Sequence, residues 1–259
     1  MAPGRDDHDR GLAYDLSTLL ARRRVLGLVA GAGLASLVGC DSDATAGTTA
    51  ACTEIPDETA GPYPADGSNG PDVLTQSGIV RNDIRKSFGS STGTADGVPT
   101  TVTLTIQDAA KDCAARPGVA VYLWHCNRDG EYSLYSPGIE NENYLRGVQE
   151  TDDKGTVTFA TIFPACYSGR WPHMHFEVYP TLADATTAGY KLTTSQLALP
   201  ADVCETVYGT ADGYGASRDN LTRVSLGTDN VFSDGYQSQL ATVTGSVADG
   251  YRVALAVPV

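Results

Sequence analysis

Basic residues are scarce in this chain. Only 18 Lys and Arg stand against 31 Asp and Glu in 259 residues, a formal net charge of −13. Nucleic-acid recognition depends on basic patches, so that class of partner is excluded, and the acid excess is read as a solvated surface. Long helical periodicities are also scarce, and no internal repeat is visible. The apolar run from Val25 to Val38 falls short of the roughly 20 residues a membrane-spanning helix needs. What remains is a globular composition, 41% hydrophobic and 19% charged, with 28 glycines. The length suits one sizeable domain or two small ones at most. Together these features predict an all-β or β-dominated fold.

The N-terminal segment stands apart. Arg22-Arg23-Arg24 precedes the apolar run, which ends at Leu37-Val-Gly-Cys40. A charged start, an apolar middle and a small residue before the cleavage point make a secretory signal. The cysteine after Leu-Val-Gly resembles a bacterial lipobox with Cys40 as the lipidated N-terminus, and the paired arginines resemble a twin-arginine signal. Residues 1–39 are therefore expected to direct export to the bacterial surface, lipid-anchored to the membrane or secreted. A twin-arginine route carries folded protein, so a metal could be acquired inside the cell, where availability differs. Removing 1–39 takes away five Arg and four Asp, so the acid excess persists. Residues 40–51 read as a small, polar tether, and 52–259 as one globular domain.

Within that domain, strands are predicted at Thr100–Gln107, Gly118–His125, Thr156–Thr161, His173–Val178 and Tyr251–Val257. The Pro- and Gly-rich arm 52–75 should lie over the domain as loop, and Gly89–Gly97 as a second loop. Short helical turns are expected around Thr181–Thr187 and Ala201–Tyr208. Strands at this spacing, with Gly- and Asp-rich turns, fit a β-sandwich with long loops and few short helices.

The segment richest in chemistry is Tyr167-Ser-Gly-Arg170-Trp-Pro-His173-Met-His175. Alternate residues of a strand share a face, so His173 and His175 can present both rings to one metal ion. Imidazole alone suits zinc, copper, iron or nickel. A phenolate beside them is a hard anionic donor and shifts the preference toward Fe(III). Trp124-His-Cys-Asn-Arg-Asp-Gly130-Glu-Tyr132 offers a second phenol where a strand runs into an Asp-Gly turn. Two tyrosines and two histidines make a four-ligand set.

These motifs, in order, resemble the intradiol ring-cleavage dioxygenases. Glu58-Thr-Ala-Gly61-Pro62-Tyr63 is similar to the family's motif beside the substrate pocket. Val121-Tyr-Leu-Trp124 through Gly130-Glu-Tyr132-Ser resembles the strand and turn carrying the first tyrosinate. Leu145-Arg-Gly-Val-Gln-Glu-Thr-Asp152, Gly155 and Phe159-Ala-Thr-Ile-Phe-Pro164 resemble the approach to the second. Arg170-x-x-His173-x-His175 and Thr194-Ser-Gln196 complete the set. Departures are Ala165 and Cys166, where a glycine and a variable residue are usual, and Leu197-Ala-Leu-Pro200 in place of an aromatic pair.

The resemblance implies Fe(III) held by Tyr132, Tyr167, His173 and His175, with Tyr132 and His175 equatorial. It implies a catechol-type substrate cleaved with O2 to a muconate-type diacid. Tyr167 would take a substrate proton, Arg170 would stabilise developing negative charge, and Gly61, Pro62, Tyr63 and Gln196 would contact substrate. A non-catalytic surface-binding β-sandwich, or a zinc hydrolase using the H-x-H pair, are the alternatives, and both leave the tyrosines unexplained.

Other residues read more plainly. His125, at a strand end, is expected to be a hydrogen-bonded core histidine. Tyr63, Tyr135 and Tyr144 suit packing or pocket walls, and Glu177 continues a strand pattern. Arg170 has the alternative of a surface ion pair. Five cysteines follow Cys40, and export favours disulfides, with at least one thiol left over. Cys113 and Cys126 flank a strand of about eight residues, roughly 26 Å, too far to pair. Cys166 with Cys204 is the expected bridge, and a buried thiol near iron is the alternative for Cys166.

Overall fold

A computed structural model of the protein describes residues 52–187 and 189–259. The expected signal, Cys40 and the tether lie outside the described residues.

Alternation sets the first sheet. Strand β1 (Pro99–Asp108) buries Val102, Leu104 and Ile106 and turns the intervening threonines outward. Its neighbour β9 (Gly250–Pro258) runs parallel to it and buries Tyr251, Val253, Leu255 and Val257 in the same rhythm. On the other side of β1, β5 (Thr156–Ile162) pairs antiparallel, and the two-residue β2 (Ala114–Ala115) pairs with its end. The edge strand β8 (Thr242–Ser246) lies antiparallel on β9.

The second sheet has the order β4 (Arg146–Glu150), β3 (Ala120–Trp124), β6 (His173–Tyr179), β7 (Thr193–Ala198), antiparallel throughout. Every residue of β3 and β6 is buried, so both faces of these strands are covered. One face packs Val121, Leu123, Met174, Phe176 and Val178 against the first sheet. Truncating a side chain as deep as Phe176 to Ala should cost about 3–5 kcal/mol. The opposite face carries Tyr122, Trp124 and Tyr179, roofed by Val73 and Leu74 from the arm and by Ile79 just after it. His173, His175 and Glu177 share that face, because they alternate along β6. The long N-terminal arm thus covers the side of the sandwich that holds the polar groups.

Helices are short, as expected: α1 (Leu182–Thr186), capped by the Thr181 hydroxyl, and α2 (Ala201–Thr210). The sequence did not announce α3 (Gly215–Leu221), β4, β7 or β8. Strand β8 is largely exposed, and β4 and β7 carry polar residues that interior hydrogen bonds satisfy, so none shows simple alternation.

One expectation is overturned. Cys166 and Cys204 are both buried free thiols, as is Cys126. The disulfide joins Cys52 to Cys113, with Cα atoms 5.5 Å apart. The cause is where the arm begins. Ile55 N donates to Pro258 O, at the end of β9 that lies beside the end of β1. Cys113 sits just beyond that end of β1, in a left-handed turn with Asp112. Cys166 instead directs its thiol to the Arg170 carbonyl at 3.5 Å.

Candidate metal centre

Two loops deliver phenols to the imidazoles of β6. After β3, the Asn127 side chain accepts from the backbone N–H groups of Asp129 and Glu131, both at 2.9 Å. Gly130 turns the chain at φ +87°, a left-handed conformation that glycine adopts without steric cost. Tyr132 follows, its backbone N–H bonded to Ser136 Oγ at 2.9 Å. Tyr167 comes from the loop between β5 and β6 and packs on Gly130, where an added Cβ would lie 2.9 Å from its own Cβ. That contact gives Gly130 a second reason to lack a side chain.

The four expected donors meet. His173 Nε2 lies 3.1 Å from His175 Nε2 and 3.3 Å from the Tyr167 hydroxyl. The Tyr132 hydroxyl lies 3.4 Å from both the Tyr167 hydroxyl and His175 Nε2. Tyr132, His173 and His175 are buried, and Tyr167 is partly exposed. His173 Nδ1 is 2.5 Å from the Trp171 carbonyl. Only an N–H can donate there, so Nε2 carries a lone pair toward the cluster. Burial then lowers the proton affinity of both imidazoles, Arg170 and the neighbouring ring adding to the effect. Both rings are neutral at pH 7, the form that binds metal.

The donor set fits an ion. Ligands about 2.0–2.1 Å from a common cation stand roughly 3–3.4 Å from one another, the spacing found. Among the described residues, no cluster of three or more His, Cys, Asp or Glu forms such a site; the phenols complete this one. Burial raises the pKa of both phenols, to about 12 for Tyr167, and Arg170 offsets this in part. Both phenols must lose their protons to serve as anionic ligands, which a Lewis-acidic cation would promote.

Arg170 is buried and held from several sides. Its Nε donates to Asp229 Oδ2 at 2.9 Å, and Nη2 donates to Gln196 Oε1 at 2.6 Å. Nη1 points into the donor cluster, 3.4 Å from His173 Nε2. Burial opposes its charge, but Tyr167 and Asp229 more than compensate, so it remains protonated. The surface ion pair considered for Arg170 is replaced by this buried one. Asp229 was not visible as a site residue: a buried arginine needs a carboxylate, but 31 acidic residues gave no means of choosing it.

The expected substrate residues divide. Gly61, at φ +68°, lies against His175, where an added Cβ would be 3.4 Å from Cε1. It also borders a cavity of about 340 Å³ that includes Thr59, Asn69 and Lys191 in its wall. The Pro62 carbonyl accepts from the Asn69 side chain. Tyr63 packs its ring on Tyr132 and Tyr135, with centroids 5.0 and 5.1 Å away. Gln196 is fully buried, accepting from Arg170 and donating to Thr59 O at 2.9 Å. It braces the arginine. His125 is the core histidine expected, 2.7 Å from both Cys126 O and Thr161 Oγ1. Glu177 is bound to Lys191 and Tyr179, each at 2.6 Å.

Comparison with known proteins follows the same line. Residues 70–199, just over half the chain, match the family model Dioxygenase_C, described as dioxygenase. A chlorocatechol 1,2-dioxygenase of Rhodococcus opacus is 31% identical over 61 residues, 23% of this chain. The match spans about a quarter of that relative, 24% of its length. An intradiol ring-cleavage dioxygenase from Tetranychus urticae has a similar fold, with TM-score 0.58 and 22% identity over 71% of this chain and 87% of that one. So does the dioxygenase domain of a dioxygenase–carbohydrate-binding protein fusion from Streptomyces sp. SirexAA-E. There the TM-score is 0.51 at 22% identity, over 80% of this chain and 98% of that one. At such identities these two structures speak for the fold.

Proposed function

The chain belongs to the intradiol ring-cleavage dioxygenase family, and on that basis we propose that it is an exported, Fe(III)-dependent enzyme. It cleaves a catechol-type aromatic diol between the hydroxyls, with both atoms of O2 entering a muconate-type diacid. The observation that carries this reading is the meeting of Tyr132, Tyr167, His173 and His175 donor atoms at 3.1–3.4 Å beside a buried guanidinium. A binding module has no use for such a set, and a zinc hydrolase has no use for two buried phenols.

Those four residues would hold the iron. Bound there, Fe(III) supplies a Lewis acid and a template for a chelating diol. The protein's own groups do the rest. Tyr167 is suited to take a substrate hydroxyl proton at its phenolic oxygen: it is partly exposed, it comes from a loop, and burial makes its phenolate a strong base. Tyr132 suits a fixed role, being buried and tied to Ser136. Arg170, clamped by Asp229 and Gln196, presents fixed positive charge where anionic character builds on the substrate. Its orientation is set before substrate arrives, so little reorganisation opposes the reaction. Gly61 and Tyr63 exclude water from the edges of His175 and Tyr132.

The test is metal analysis and an absorption spectrum of the purified protein, followed by labelled O2 with catechol. Expected are about one iron per chain, a broad visible band that shifts with catechol, and label in both new oxygens of the diacid. A colourless protein holding stoichiometric zinc would overturn the assignment. Export rests on the sequence of 22–40. Cys40→Ala should abolish lipid labelling and leave unprocessed precursor; no label in the wild-type chain removes the anchor.

A further inference from the structure

The two histidines at the centre are oriented by different means. His173 fixes its ring with a hydrogen bond, Nδ1 to the Trp171 carbonyl at 2.5 Å. His175 is equally buried, yet its Nδ1 meets no hydrogen-bond partner. Metal-binding imidazoles almost always donate that N–H to something, because the bond fixes tautomer and ring orientation. What His175 has instead is an indole. Trp124 lies directly across β3 and β6 from His175. The rings stack in nearly parallel planes, 4.9 Å between centroids and 8° between planes. The Trp124 Nε1 also meets no partner, so no hydrogen bond draws the indole away from the stack.

The stack is itself anchored. Trp124 has Tyr122 on the same face, centroids 4.8 Å apart and planes at 20°. The Tyr122 hydroxyl donates to Pro64 O at 2.7 Å and accepts from Arg146 Nη1 at 3.1 Å. Arg146 in turn donates to Tyr63 O at 2.9 Å. At the Cε1 edge of the imidazole, Gly61 approaches closely. His175 is therefore set by an indole on its face and a glycine backbone at its edge, both tied to the arm.

We propose that Trp124 is the positioning residue for His175, fixing by ring stacking the orientation that a hydrogen bond fixes for His173. The column Tyr122–Trp124–His175 links the arm motif to the metal ligand, so ligand geometry depends on the arm being seated. This rests on the reading of His175 as a ligand.

The experiment is loss of iron from the holoprotein to an excess of chelator, followed by the visible band, in wild type, Trp124→Phe, Trp124→Leu and His175→Ala. A flat ring preserves the stack and an aliphatic side chain does not. Trp124→Leu should release iron on the order of 10–100-fold faster, the range of a lost orienting partner, with a displaced band. Trp124→Phe should stay near wild type, a rescue that bulk alone does not predict. Equal release from Leu, Phe and wild type would overturn the proposal. Iron retained by His175→Ala as by wild type would instead sink the ligand assignment beneath it. Should Trp124→Leu not fold, NMR of wild-type metal-free protein with labelled histidine decides. The His175 ring protons should be shifted upfield by the indole, and unshifted signals would overturn the stack as the orienting contact.

Discussion

The Asp229 carboxylate spans Arg170 and the backbone around it. One oxygen accepts from Arg170 Nε at 2.9 Å and from the Trp171 N–H at 2.7 Å; the other accepts from the Val231 N–H at 2.9 Å. The pair is buried on both sides. A residue 59 positions away thus decides where the guanidinium points.

Breaking that pair leaves a buried charge uncompensated, which costs about 3–5 kcal/mol. Asp229→Ala should lower the unfolding midpoint accordingly in chemical denaturation. Asp229→Asn, nearly isosteric, should destabilise less and still impair turnover, because Arg170 loses its orienting charge while the four proposed metal donors remain. Wild-type turnover in Asp229→Asn would remove the orienting role.

In the proposed mechanism Tyr167 and Arg170 act at different points, so their variants should separate. Tyr167→Phe removes a donor and a proton acceptor, and should alter the colour of the protein and weaken catechol binding. Arg170→Ala leaves the four donors in place. Iron content and colour should survive while turnover falls about a hundredfold or more, the cost of one preorganised charge-stabilising group. Metal analysis, catechol titration and O2 uptake on both variants check this.

The Cys52–Cys113 bridge closes a segment with a sequence separation of 61, for which chain entropy suggests about 4 kcal/mol. Reductant should lower the unfolding midpoint of the wild type, and Cys113→Ser should abolish the effect. Peptide mapping should find Cys126, Cys166 and Cys204 as thiols. Burial raises Cys126 and Cys166 to about 12, so alkylation of the native protein should be slow. Linked Cys166 and Cys204 peptides would contradict the structure.

Acid sensitivity should come partly from His125. Burial holds its pKa at about 4 against 6.5 for the free side chain. The unfolded chain therefore binds the proton more readily between those values, so stability is full above pH 6.5 and is lost as pH falls toward 4. The shift amounts to on the order of 3 kcal/mol. His125→Gln should flatten the pH dependence of the denaturation midpoint across that window, even if it lowers stability at pH 7. An unchanged slope would assign the acid loss elsewhere.

The sequence by itself determined the strands whose inner face is apolar and outer face polar, such as β1 and β9. It also marked candidate donors, because H-x-H on a strand and a phenol after an Asp-Gly turn are local patterns with local geometry, and Tyr167 stands only six positions before His173. Tertiary structure alone decided the connections between distant segments. It paired Cys52 with Cys113 by laying the arm beside the end of β9, and it left Cys166 free beside the Arg170 carbonyl. It chose Asp229 from many equivalent acids, and set Gln196 against the Arg170 guanidinium. It stacked Trp124 on His175 through the register of two strands. The physical reason is one of range. Backbone conformation and alternation are set by neighbours in sequence, whereas a buried charge, a thiol or an imidazole face takes its partner from whatever the fold brings within a few ångströms.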